Sequence, residues 1–197
     1  MVAVVDQLQR TSGNPAAQWA VIEKNFDVDQ VATHFAVNMV LDHWDGFFNN
    51  YFTYHDTKRG KWQMYPWDHD KCWGVYDGVG DRPLVSIPLT FGMDTPGRAR
   101  ERGFNGGGWW RPPGAFSGPL LANPQFRKVF LARVRAVLDD VYTEERYNRA
   151  IDDLVIRLGD GEGNRRMLAR GGEFLKAHVR LRRDFLLRQP ELKNAGK

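Results

Sequence analysis

Apolar residues in the first part of the chain recur at three- and four-residue steps, give way to aromatic-rich runs, and then return to helical spacing. Val28, Val31, Ala32, Phe35, Ala36, Met39 and Val40 make one stripe on a predicted helix, with Asp27 placed as its N-cap. A shorter helix is predicted over residues 15–25, with Asn14 as cap and Pro15 in the first helical position. Tyr51 to His55 and Lys61 to Tyr65 flank DTKRG, whose Gly60 can take the positive φ of a hairpin turn. Further on, Asn123 and Pro124 open a helix to about Asp139, Thr143 caps another to Leu158, and a last helix runs from about Glu173 to Arg188.

Between Gly74 and Pro119 no period holds, and the chain carries much of its glycine and proline there, including GMDTPG and FNGGGWWRPPG. A stretch this long is either a functional segment or an ordered surface loop that packs Phe104, Trp109 and Trp110 onto the body, and both readings stay open. The pattern as a whole predicts an α+β fold, mainly helical, with one short β-hairpin. It divides into a helical lead-in (1–26), a core (27–74), a Gly/Pro-rich loop (75–119) and C-terminal helices (120–190), all in one lobe.

Composition narrows the class. With 197 residues, 42% hydrophobic and 26% charged, the chain suits one domain with a sizeable core. No apolar run approaches the roughly 20 residues of a bilayer span, and MVAVVDQLQR lacks the basic and apolar regions of a secretory signal. Cys72, the single cysteine, excludes an internal disulfide and a zinc thiolate cluster, and reads as a small buried hydrophobe. The net charge of +4 comes with two basic groups: Arg98, Arg100, Arg102 and Arg111 in the loop, and Lys176, Arg180, Arg182, Arg183 and Arg188 on the last helix. The helical set reads as a solvated face of snorkelling side chains, and the loop set as a surface for phosphates or an acidic substrate. No zinc finger, helix-turn-helix or RNP signature accompanies them, so no nucleic-acid partner is expected.

Chemistry concentrates in DHWDGFFNNYFTYHDTKRGKWQMYPWDHDKCWG, residues 42 to 74. Asp45 stands five residues before Asn50, and Asp68 and Asp70 follow the hairpin. Phosphoryl transfer needs this order of groups: a carboxylate that orients a hydroxyl nucleophile, then an amide and further carboxylates for the magnesium ions on a nucleotide's phosphates. Asp45 is the candidate base. Asn50 is the candidate amide ligand, with Asn49 as its competitor, and the five-residue step favours Asn50. If the segment after Trp67 is extended, Asp68 and Asp70 point to one side and suit a metal, while His69 points away. Trp62 is a candidate platform for an adenine ring. His34, His43 and His55 do not form a ligand set; His43 is the one placed to support Asp45.

These residues also carry a resemblance. The pattern DxWDxxxxN (Asp42 to Asn50), the aromatic strand pair, and PWDxD (Pro66 to Asp70) leading to Trp73-Gly74 resemble the core of the spore coat protein H (CotH) kinase family. NPQFR (Asn123 to Arg127) and the helices after it also resemble that family, so the likeness covers roughly residues 18 to 188. It implies a protein-kinase-like C-lobe acting on protein serine or threonine with ATP and Mg2+ (or Mn2+). It places Asp68 as the metal-binding acid, with Asp70 on a second ion or holding the loop. It also implies a spore-coat or extracytoplasmic setting, with coat or envelope proteins as substrates.

A kinase further needs a lysine on an N-lobe strand, an acidic partner for it, and a loop over the phosphates. The residues before Asp29 are too few for that lobe, and no glycine-rich loop precedes the core. The expectation is therefore a partial kinase chain. One alternative is a non-catalytic assembly module that keeps the fold, and another, weaker one is a divalent-metal hydrolase.

Overall fold

The computed structural model describes residues 1–75, 85–93 and 114–194. Two short helices, α1 (Val2–Arg10) and α2 (Pro15–Asn25), lead into α3 (Val28–Val40). Asn14 caps α2 through its side chain, which accepts from the Ala17 amide, and Pro15 occupies the first turn as the sequence predicts. α1 forms on Val4 and Leu8, both buried, within the stretch expected as a helical lead-in.

The apolar stripe of α3 faces inward: Val31, Ala32, Phe35, Ala36, Met39 and Val40 are all completely buried. Asp27 stands at the N-cap position but does not cap. Its carboxylate accepts instead from Arg59 Nη1 (2.6 Å) and Gln63 Nε2 (3.0 Å), fastening the start of α3 to the hairpin.

The hairpin pairs β1 (Tyr51–Asp56) with β2 (Lys61–Pro66), antiparallel, in a register that sets Tyr51 opposite Pro66 and His55 opposite Trp62. Gly60 takes φ +66° in the turn. β2 lies on α3, where the Gln30 side chain accepts from the Met64 amide and Met64 itself is buried. Short 3-10 turns at Trp44–Phe47 and His69–Lys71 frame the hairpin on either side.

The C-terminal half is helical: α4 (Ser117–Ala122), α5 (Pro124–Ala136), α6 (Glu144–Leu158), α7 (Gly161–Leu187) and α8 (Pro190–Asn194). α4 extends three residues into the stretch assigned to loop. α5 stops before Asp139 in a single π turn over Val137–Val141, and α7 begins at Gly161 rather than Glu173. Asn123 and Thr143 cap α5 and α6 as expected.

α5 packs along α3, with Phe126 edge-on to Phe35 (6.4 Å between centroids) and Phe35 stacked on Phe47 (5.7 Å). One apolar cluster joins these helices to β2, the 85–93 segment, α7 and α8. No helix among the described residues is long and apolar enough to cross a membrane. Arg98, Arg100, Arg102, Arg111, Phe104, Trp109 and Trp110 lie outside the described residues.

Candidate functional site

α3 ends at Val40, and the chain turns sharply at Asp42, whose φ of +57° is left-handed. Asn38, buried on the last turn of α3, then holds the next turn from behind. Its Nδ2 donates to the Gly46 carbonyl (3.1 Å) and lies 3.1 Å from His34 Nε2, and its Oδ1 lies 3.4 Å from His43 Nδ1. Residue 46 must be glycine for this contact, because a Cβ there would stand 2.5 Å from His43 Nδ1 and 2.7 Å from Asn38 Nδ2. From the other side Ser117 Oγ donates to the Phe47 carbonyl (3.1 Å). The 3-10 turn carrying Asp45 is thus clamped by α3 and α4.

Asp45 and Asn50 are brought together as their spacing predicts. Asn50 Nδ2 donates to Asp45 Oδ2 (3.0 Å) and also reaches the Asp68 carbonyl (3.5 Å), so one amide spans the entry and exit of the hairpin. Both partners are acceptors. That fixes the NH2 end toward them and leaves Oδ1 on the opposite side as an oxygen donor for a cation. Asn49 Nδ2 donates to the other Asp45 oxygen (3.3 Å), which makes it a support of the carboxylate as well as a neighbour of Asn50.

Asp68 and Asp70 do not follow an extended strand. Asp68 sits at φ +52° and Asp70 lies in the following 3-10 turn, so strand alternation does not set their directions. Both are exposed. His69, expected to point away, packs its ring 4.3 Å from that of the buried His43.

Burial lowers the His43 pKa to about 4, with His69 adding to the effect against an opposing pull from Asp70, so the imidazole behind the turn is neutral. Burial likewise pushes the Cys72 thiol up to about 12, with Asp70 adding to the effect, which fits its expected role as an inert core residue.

Among the described residues every non-glycine residue with positive φ, namely Asp42, Asn50, Asp68 and Trp73, falls within this one segment. Such backbone costs on the order of 1–3 kcal/mol each and persists where surrounding contacts over-determine it, which is a feature of functional sites.

Trp62 lies four residues along β2 from Pro66, roughly 13 Å by the strand rise, with its ring 4.7 Å from that of His55. It is therefore placed toward the far end of the hairpin from the acids. The outer face of the hairpin was not anticipated: Phe52 and Trp67 meet edge-on at 5.2 Å, Tyr54 and Tyr65 at 6.4 Å, and all four are about half exposed.

No group of three His, Cys, Asp or Glu side chains among the described residues makes a ready metal cage. Mg2+ does not need one. It retains waters and binds through one or two carboxylates together with substrate phosphates, and Asp68, Asp70 and the Asn50 carboxamide oxygen are the residues here that could hold such an ion.

The structure defines a mainly helical protein with a two-stranded antiparallel hairpin. The chain belongs to the CotH family: the model for "CotH kinase protein" matches residues 1–165. Among curated proteins it is similar to the inner spore coat protein H of Bacillus subtilis (strain 168), 26% identical over 141 residues, covering 71% of this chain and 33% of the relative. The chain thus spans about a third of the curated relative that it matches. No solved structure matches it.

Proposed function

We propose that this chain carries the catalytic and metal-binding side of an atypical protein kinase, which transfers the γ-phosphoryl group of ATP to serine or threonine hydroxyls of a protein, a coat or envelope protein in the setting the family suggests. The observation that carries the reading is the Asn50 amide, which joins the Asp45 carboxylate to the backbone carbonyl of Asp68. Asp45 accepts the hydroxyl proton and orients the nucleophile. Asn50 Oδ1 and Asp68 are the ligands for a magnesium or manganese ion, and Asp70 is the ligand for a second ion or the brace of the loop. Bound with ATP, the metal neutralises charge on the phosphates.

The separation of Trp62 from the acids suits a nucleotide whose base and terminal phosphate lie at opposite ends, and Trp62 is the proposed base platform. The fold is read as a kinase-like C-lobe. In kinases a lysine-bearing lobe covers the phosphates, so the test is run on this chain alone and joined to such a lobe. Label from γ-labelled ATP should pass to protein hydroxyls only with Mg2+ or Mn2+, and Asp45→Asn or Asp68→Asn should lower its rate by about 10²-fold or more. Absence of labelling in both forms would overturn the reading.

One observation favours a second reading. The four half-exposed aromatics of the hairpin form a patch of the kind that binds other proteins, which suits a non-catalytic assembly module. That reading expects partner binding to survive Asp45→Ala and Asp68→Ala, and loss of binding in those variants would count against it.

A further inference from the structure

Asp42 and Arg182 are separated by most of the chain, yet their side chains meet in the core with no solvent contact at either. Arg182 Nη1 lies 3.2 Å from Asp42 Oδ1. The same guanidinium donates to the carbonyls of Val85 (2.7 Å), Ile87 (2.8 Å) and Met39 (3.2 Å from Nε). On the other side His178 Nε2 lies 3.5 Å from Asp42 Oδ2, and its Nδ1 lies 2.8 Å from the Tyr142 hydroxyl. Burial depresses the His178 pKa and raises that of Tyr142. A neutral His178 protonated on Nε2 accepts from the tyrosine and faces the carboxylate, and Arg182 supplies the one full positive charge.

A buried ion pair of this kind is a poor source of stability, since well-packed apolar residues in its place are often neutral or stabilising. What it does supply is a single geometry. The planar fork of Arg182 joins the last turn of α3, the left-handed Asp42 and the 85–87 segment to α7. Asp42 is the pivot from which the 3-10 turn with Asp45 departs. Both Arg182 and His178 lie beyond residue 165, where the family match ends.

We propose that the Asp42–Arg182 pair, extended by His178 and Tyr142, is a positioning device for the Asp45 turn, so that the C-terminal half of α7 sets the aim of the candidate base. Its catalytic consequence rests on the reading of Asp45 given above, while the anchoring itself does not.

Four forms of the full chain test it: wild type, Asp42→Asn, Arg182→Lys, and the double variant Asp42→Asn with Arg182→Met, which removes both charges together. The first measurement is amide hydrogen exchange. In the double variant the amides of residues 43–50 should exchange about ten-fold faster or more while α5 keeps its protection and the melting temperature holds. Arg182→Lys, which keeps the charge but not the fork, should loosen the same amides.

Unchanged protection of residues 43–50 in the double variant would overturn the proposal, as would loss shared equally with α5. Should the double variant not fold, Asp42→Asn alone is judged by the same two criteria. The second measurement is phosphoryl transfer: kcat should fall about ten-fold or more with KM for the nucleotide unchanged. If wild type transfers no phosphate but residues 43–50 loosen selectively, the kinase reading falls and the anchoring stands. If wild type is active and the variants match it in both kcat and exchange, the anchoring falls and the kinase reading stands.

Discussion

Gly46 is the residue at which one added carbon reaches furthest into the site. Its missing Cβ is the space that Asn38 and His43 use to hold the Asp45 turn. Gly46→Ala should cost about 1–3 kcal/mol in urea unfolding, as overpacking of a filled site does, and should depress any Asp45-dependent activity more than stability alone explains. His34 gives a second expectation, because its Nε2 faces the Asn38 amide NH2 and must stay unprotonated to accept from it. Burial, helped by His69, lowers its pKa from the ordinary 6.5 to about 4. The unfolded chain therefore binds the extra proton first, and stability should fall as pH drops from about 6.5 toward 4 and level off below. Thermal melts across that range check this, and because His43 is depressed over the same range, His34→Gln should remove only part of the slope. At this scale the sequence showed Asp45 and Asn50 as a pair because their contact is local. It did not show the direction of Asp68 and Asp70, since a left-handed aspartate leaves no mark in the pattern of apolar positions.

Among the elements, caps that act through their own next turn were legible. Asn14, Asn123 and Thr143 each accept from a backbone amide two or three residues on. Asn123 does more, since its Nδ2 also donates to the Pro15 carbonyl (2.9 Å) and the Gln18 side chain (3.1 Å), tying α5 to α2. Asn123→Ala should thus exceed the roughly 0.5–2 kcal/mol of a lost cap, while Asn14→Ala should stay within it, as paired urea titrations can show. Asp27 illustrates the opposite case. A cap position was legible, but the strong partners of its carboxylate are Arg59 and Gln63 from the hairpin, and those contacts cannot be read from neighbouring residues. α7 escaped notice over its first twelve residues because Gly161, Gly163, Gly171 and Gly172 interrupt any helical preference.

For the whole molecule, the largest difference between pattern and structure is the last basic helix. Arg182 and Arg183 were placed on a solvated face with Lys176, Arg180 and Arg188. Arg182 is instead completely buried against Asp42, and Arg183 donates to the Leu138 and Tyr142 carbonyls. A long-range partner decided this, and charge on a polar helix gives no sign of one. Truncation after Arg165 would remove Val179, Leu186 and Leu192 from the core and take away the arginine and histidine that cover the Asp42 carboxylate. Each lost core side chain of this size costs about 2–5 kcal/mol, so the truncated chain should lack a cooperative melt by circular dichroism.

The proposed function rests on the Asp45–Asn50–Asp68 set, and its chemistry is tested most directly by the initial rate of phosphate incorporation from γ-labelled ATP with Mn2+ or Mg2+. Wild type joined to a phosphate-covering lobe should transfer phosphate, and Asp45→Asn should lower the rate by about 10²–10⁴-fold with nucleotide binding retained. Equal rates in the two proteins, or no metal-dependent transfer by wild type, would contradict the assignment.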